Sequence, residues 1–161
     1  MKPLTRLLAA PLVLAASTAT AQQQAPGGAD ALTELRKGFA TVSAWITGAA
    51  DAVPADQYSF KPVATVRTFG QLVAHVADEY NYYCPLAGGR NVEWTDATEK
   101  GPTDKATVVA KLRQATAACT TAYHGTPPVR PVISNNADAF LHYGNIATYL
   151  RLMGMVPPSS R

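Results

Sequence analysis

The chain has 161 residues, of which 47% are hydrophobic and 16% charged, with a formal net charge of +3. That length allows one ordinary domain with a real core, and that balance excludes a disordered chain. No cluster of Lys and Arg lies beyond the N-terminus, so nucleic-acid binding has no electrostatic footprint.

Residues 1–21 have the order of a secretory signal peptide. Lys2 and Arg6 give a positive start, Leu7 to Ala16 is a short apolar run broken by Pro11, and Ala19-Thr20-Ala21 offers small residues at both positions of an A-x-A cleavage site. The run falls short of the roughly 20 residues that a comfortable membrane span needs; a retained anchor is the alternative. No Cys follows the small residues, so a lipoprotein signal is not supported. Cleavage would remove two of the 14 basic side chains and none of the 11 acidic ones, leaving +1. The expectation is a periplasmic or secreted protein with no membrane attachment once the signal is gone.

Residues 22–29 are rich in polar residues, Pro and Gly, and read as a flexible lead-in to a domain over 30–161. Asp30 is placed to cap a first helix reaching Gly48 or Asp51, since Leu32, Leu35, Phe39, Val42 and Ile46 recur at steps of three and four. A loop with Tyr58 and Phe60 as aromatic anchors follows. Thr68 and Gln71 form a capping box for a second helix, whose apolar face carries Phe69, Leu72, Val73, Val76, Ala77 and Tyr80 and which is expected to end near Cys84-Pro85. After a glycine-rich loop over 87–102, Thr103 is placed to cap a third helix of about 20 residues. Gly125 to Pro131 reads as a rigid connector, and a fourth helix runs from Asn135 or Asn136 to Met153, stopped by Gly154 and Pro157-Pro158. Four amphipathic helices with no strand pattern predict an all-α four-helix bundle.

The chain has three histidines. His75 and His142 sit mid-helix on the half-buried faces of the second and fourth helices, so both imidazoles should point into the bundle. Asp138 lies one turn before His142, and Glu79 one turn after His75. Two imidazoles with a carboxylate form a plausible site for a divalent metal, zinc, nickel, iron or manganese, with positions left open for water. Core histidines held by hydrogen bonds are the alternative; Asp138 reads equally as a helix-start residue, and Glu79 reads as a solvated helix residue. His124 sits at a helix end and complements its dipole. Cys84 and Cys119 are either one disulfide, as an oxidising compartment allows, or two buried thiols. No nucleophile elbow, phosphate-cradling loop or nucleotide fingerprint is present.

Three stretches resemble the DinB superfamily, which includes the YfiT-like metalloenzymes. They are Tyr58-Ser59-Phe60-Lys61-Pro62 with Val66 to His75, then His142 to Arg151, then Met155 to Ser160. The resemblance spans about residues 30–160. It implies a bundle of up-down-down-up connectivity and a divalent metal held by three histidines, one from the second helix and two from a His-x-x-x-His in the last. His75 matches the first and His142 the last; Asp138 stands where the other histidine is expected. The implied ligand set is therefore His75, Asp138 and His142. The implied function is an exported, divalent-metal-dependent hydrolase or transferase acting on a small-molecule substrate. The alternatives are a non-catalytic bundle binding a metal or small ligand, and a purely structural bundle. Dimers are common among relatives, so a homodimer is also implied.

Overall fold

In the computed structural model residues 28–161 are described, and they form four α-helices with no strand. The expected signal peptide and nearly all of the lead-in lie outside the described residues. The helices are α1 (Gly28–Ala52), α2 (Phe69–Ala87), α3 (Lys105–Ala122) and α4 (Val129–Leu152). None of them is long and apolar enough to cross a membrane.

Helix α1 buries Leu32, Phe39, Val42, Ile46, Ala49 and Ala50, the helical repeat seen in the sequence. It begins two residues before Asp30, so Asp30 falls in its first turn rather than at the cap. Helix α2 starts where expected. The Thr68 hydroxyl accepts from the Gln71 amide at 3.1 Å, and the Gln71 side chain accepts from the Thr68 amide at 2.9 Å. It runs past Pro85 to Ala87. Only two residues of α2 follow Pro85, so the bond it forfeits to the preceding turn belongs to the helix's last turn. Asp104, not Thr103, caps α3 by accepting from the Thr107 amide at 3.0 Å.

The start of α4 differs most from expectation. It begins at Val129, so Pro131 lies in its first turn rather than in a connector. The amides of a first turn have no intrahelical partner, so a proline there breaks nothing. At the other end Gly154 takes φ +74°, and the Met155 amide reaches back to the Leu150 carbonyl at 2.8 Å, closing the helix.

Helices α3 and α4 each pack against both α1 and α2, which places α1 and α2 across the bundle from one another. Side-chain contacts fix the directions. Lys105, at the start of α3, donates to the carbonyls of Asp51 and Val53 at the end of α1. Gly70, at the start of α2, lies so close to the Thr103 carbonyl that a Cβ there would approach it to 2.5 Å. Cys84 and Cys119, near the other ends of α2 and α3, form a disulfide. The two helices therefore run in parallel. Tyr149, near the end of α4, donates to the Arg67 carbonyl just before α2 at 2.8 Å, so α4 runs against α2. The order is up, down, down, up. The Tyr58 anchor is buried and donates to the Ala50 carbonyl at 2.6 Å; Phe60 meets Tyr149 edge to face at 6.1 Å.

Candidate metal centre

The apolar stripe of α2 is interrupted by three polar side chains within five residues: His75, Asp78 and Glu79. Asp78 and Glu79 are almost fully buried. An unpaired buried carboxylate would ionise only at a cost of several kcal/mol, so each needs donors or cations. The fold supplies them in two different ways.

Glu79 faces α4. Its Oε1 lies 2.8 Å from His142 Nε2 and 3.4 Å from His75 Nε2. The His75 and His142 rings stand nearly perpendicular, with centroids 4.9 Å apart. Their side chains are 12% and 11% exposed, and that of Glu79 5%. Two imidazole nitrogens from different helices and one carboxylate oxygen thus converge in a nearly closed space. Glu79 Oε2 and His142 Nδ1 are buried with no hydrogen-bond partner among the described residues.

The donor set fits a divalent transition metal. Nitrogen and oxygen donors of this kind suit zinc, nickel, iron or manganese, and three protein donors leave positions for water or substrate. The partnerless buried Glu79 oxygen is what a cation at this place would satisfy.

Asp78 works differently. Its carboxylate accepts from the Thr98 amide at 2.9 and 3.1 Å and from the Glu99 amide at 2.9 Å. The loop between α2 and α3 is thereby clamped over the centre. Clamping brings Glu99 Oε2 to 2.8 Å from His75 Nδ1, while Glu99 Oε1 accepts from Arg67 Nε at 2.7 Å. Trp94, on the same loop, meets the His75 ring edge-on at 5.6 Å, with Tyr82 beside it at 5.7 Å. His75, Asp96 and Glu99 form a second grouping of metal-type donors. There, cations are already supplied by the protein: Arg67 pairs with Glu99 and Lys100 with Asp96.

The charges reinforce one another. The Glu79 hydrogen bond has the largest effect on His75 and, with the Glu79 charge and Glu99, lifts its pKa above the usual imidazole value against burial and Arg67. Burial is the largest influence on Glu79 and pushes its pKa up, but the hydrogen bonds and charges of His142 and His75 together outweigh it and hold the carboxyl below its usual value.

Of the three residues expected to hold a metal, the structure brings two together. His75 and His142 face each other, but the carboxylate between them is Glu79. Asp138 is outside this group: it lies one turn before His142, and its Oδ2 accepts from the Tyr83 hydroxyl at 2.7 Å. Burial first, then this bond, raises the pKa of Tyr83. An aspartate carboxylate reaches less far than an imidazole, and here it finds a donor on α2 first. Glu79 is not the solvated residue its polarity suggested. Its spacing of four from His75 was the signal in the sequence. Glu99 carried no such signal, because its approach to His75 depends on the Asp78 clamp; Arg67 lies in the stretch before α2 that resembles the family. His124 is exposed at the end of α3, away from the centre.

A helical bundle with two histidines and a glutamate converging between its second and fourth helices belongs to the class of bundle proteins with a candidate metal centre. The sequence model of the DinB superfamily matches residues 39–144, two thirds of the chain, and the chain belongs to that superfamily. No curated protein and no solved structure matches it.

Proposed function

We propose that this protein is an exported metalloprotein that holds a divalent cation through His75 Nε2, His142 Nε2 and a carboxylate oxygen of Glu79, and that it acts as a hydrolase or group transferase on a small molecule. The observation that carries the reading is the convergence of both imidazoles on one buried carboxylate, whose second oxygen has no hydrogen-bond partner among the described residues. A bound divalent ion would supply Lewis acidity and a water of lowered pKa. The chain's own residues hold the donors, narrow the approach with Trp94 and Tyr82, and orient His75 from behind. Export is supported by the signal-like order of residues 1–21 and by the Cys84–Cys119 disulfide, since such bonds persist in oxidising compartments.

A second reading, a non-catalytic carrier of metal or small ligand, is favoured by the near-complete burial of the centre, which leaves little room for a substrate beside the ion. Metal content after native purification, compared between the wild type and His75→Ala, tests both readings: bound metal in the wild type and its loss in the variant are expected, and equal content in the two would overturn the site. Hydrolysis by the metal-loaded protein across a panel of small esters, amides and phosphoesters then separates catalyst from carrier.

A further inference from the structure

His75 carries a conflict at its outer nitrogen. Nδ1 faces the Glu99 carboxylate at 2.8 Å and the Arg67 guanidinium Nη2 at 3.2 Å. A carboxylate only accepts hydrogen bonds and a guanidinium only donates them. A neutral imidazole can satisfy one of the two but not both. If Nδ1 carries the proton, it donates to Glu99, and Nε2 presents a bare lone pair toward Glu79 and His142. If Nδ1 is bare, it accepts from Arg67, and the proton sits on Nε2, where it would face Glu79 Oε1 at 3.4 Å and block ligation.

The rest of the loop decides between these states. Glu99 is pinned from two sides, its amide by Asp78 and its other carboxylate oxygen by Arg67 Nε. Arg67 Nη2 is still free to donate, so distance decides: Nδ1 lies 2.8 Å from Glu99 Oε2 and 3.2 Å from Arg67 Nη2, while Nε2 lies 3.4 Å from Glu79 Oε1, and the carboxylate nearest the ring is that of Glu99. A histidine that ligates a metal through one nitrogen commonly donates its other N–H to a carboxylate or carbonyl, which fixes the tautomer and ring orientation.

We infer that Glu99 is a positioning residue of the metal centre: by accepting the His75 Nδ1–H it selects the tautomer whose Nε2 is free to bind a cation, so the loop between α2 and α3 is a working part of the site. This rests on the metal-binding reading above and adds to it a residue from a different segment of the chain. Glu99 is half-buried, and its side chain pairs with His75 and Arg67, so it reaches the centre by way of the His75 ring.

The test uses the full mature chain with Glu99→Ala and Glu99→Gln. The first readout is the His75 ring in the metal-free protein, by long-range nitrogen–proton NMR at a pH where the ring is neutral. The wild type should show the proton on Nδ1. Glu99→Ala should move it to Nε2, and Glu99→Gln, whose amide oxygen still accepts, should leave it on Nδ1. The second readout is the dissociation constant for Zn²⁺ by chelator competition. Glu99→Ala should weaken binding by about 10- to 100-fold, the usual range for an outer partner, and Glu99→Gln by less. Melting curves of both variants establish that they are folded.

A ring that keeps its proton on Nδ1 in Glu99→Ala, or Zn²⁺ affinity within about twofold of the wild type, would overturn the inference. The isosteric Glu99→Gln decides the matter if the alanine variant fails to fold: a proton on Nε2 in that variant refutes the role. A wild type that binds no Zn²⁺ would sink the metal reading and the affinity half of this proposal, while the ring measurement would still judge the contact with Glu99.

Discussion

Replacing Glu79 by Gln removes one negative charge and leaves the side-chain shape nearly intact. In the metal-free protein that charge lies 2.8 Å from His142 Nε2 and 3.4 Å from His75 Nε2 inside a closed space, and it pairs with His75 when that ring is protonated. Hydrogen bonds involving an ionised partner contribute about 1.5–3 kcal/mol. A loss of about 2 kcal/mol is therefore expected, which for a domain of this size lowers the melting temperature by roughly 6–10 °C. The pH at which this holds follows from two shifts. The Glu79 pKa is lowered in the folded state, so its contribution is present above the unfolded value of 4.5 and is lost as pH falls through the folded one. The His75 pKa is raised, so its contribution is full below the unfolded value of 6.5 and is lost as pH rises through the folded one. The Gln variant should thus differ most from the wild type between those two values and less on either side. Metal reverses the upper limb, because ligation needs a deprotonated imidazole. The stabilisation by Zn²⁺ should grow from pH 6 to pH 8 in the wild type while the metal-free protein weakens. In Glu79→Gln the affinity for Zn²⁺ should fall by at least the roughly 100-fold that marks the upper end for outer-partner changes. Thermal melts across pH, with and without Zn²⁺, measure all of this. Melting profiles that run parallel in the two proteins, with equal Zn²⁺ affinity, would refute the pairing of Glu79 with the histidines.

Asp138→Ala should leave Zn²⁺ affinity within about twofold of the wild type, well below the 10- to 100-fold typical of outer-shell partners, because its carboxylate is engaged with Tyr83; a loss comparable to that of His142→Ala would restore it to the ligand set. Serine at both Cys84 and Cys119 should cost about 3–4 kcal/mol in denaturant unfolding, given the 35-residue separation the bond closes; a change under about 1 kcal/mol would be well below the typical range and show that the bond adds little. Gly70→Ala would press a methyl group into the Thr103 carbonyl, which backbone cannot easily yield, and should cost about 1–3 kcal/mol. An unchanged unfolding midpoint for that variant would mean the start of α2 and the loop are not in register as described.

The helical content was legible because the stripes of α1 and α2 are strong and local: Leu32 to Ile46 and Phe69 to Tyr80 repeat every three or four residues. The boundaries of α4 were not, since Pro131 reads as a breaker unless it is known to fall within a first turn. At the centre, His75 and His142 could be found from the faces they occupy. Choosing between Asp138 and Glu79 was harder, as each lies one turn from a histidine. What separates them is depth in the bundle and the presence of Tyr83, neither of which spacing encodes. Glu99 stands 24 residues from His75 in a segment with no periodicity, and only the Asp78 clamp brings it there. Contacts made by a folded loop carry no local pattern, and so sequence alone passed over it.

Helix α2 is fastened at both extremities, by the close seating of Gly70 under Thr103 at one end and by the covalent link to α3 at the other. His75 and Glu79 ride on a rod held against α3 at both ends, while Tyr149 and Asp138 tie α4 to it on the His142 side. The spacing between the two helices would then act as a gauge. Ions would be sorted by how well their radius and preferred coordination suit that gauge, instead of the protein reshaping itself around whichever cation arrives.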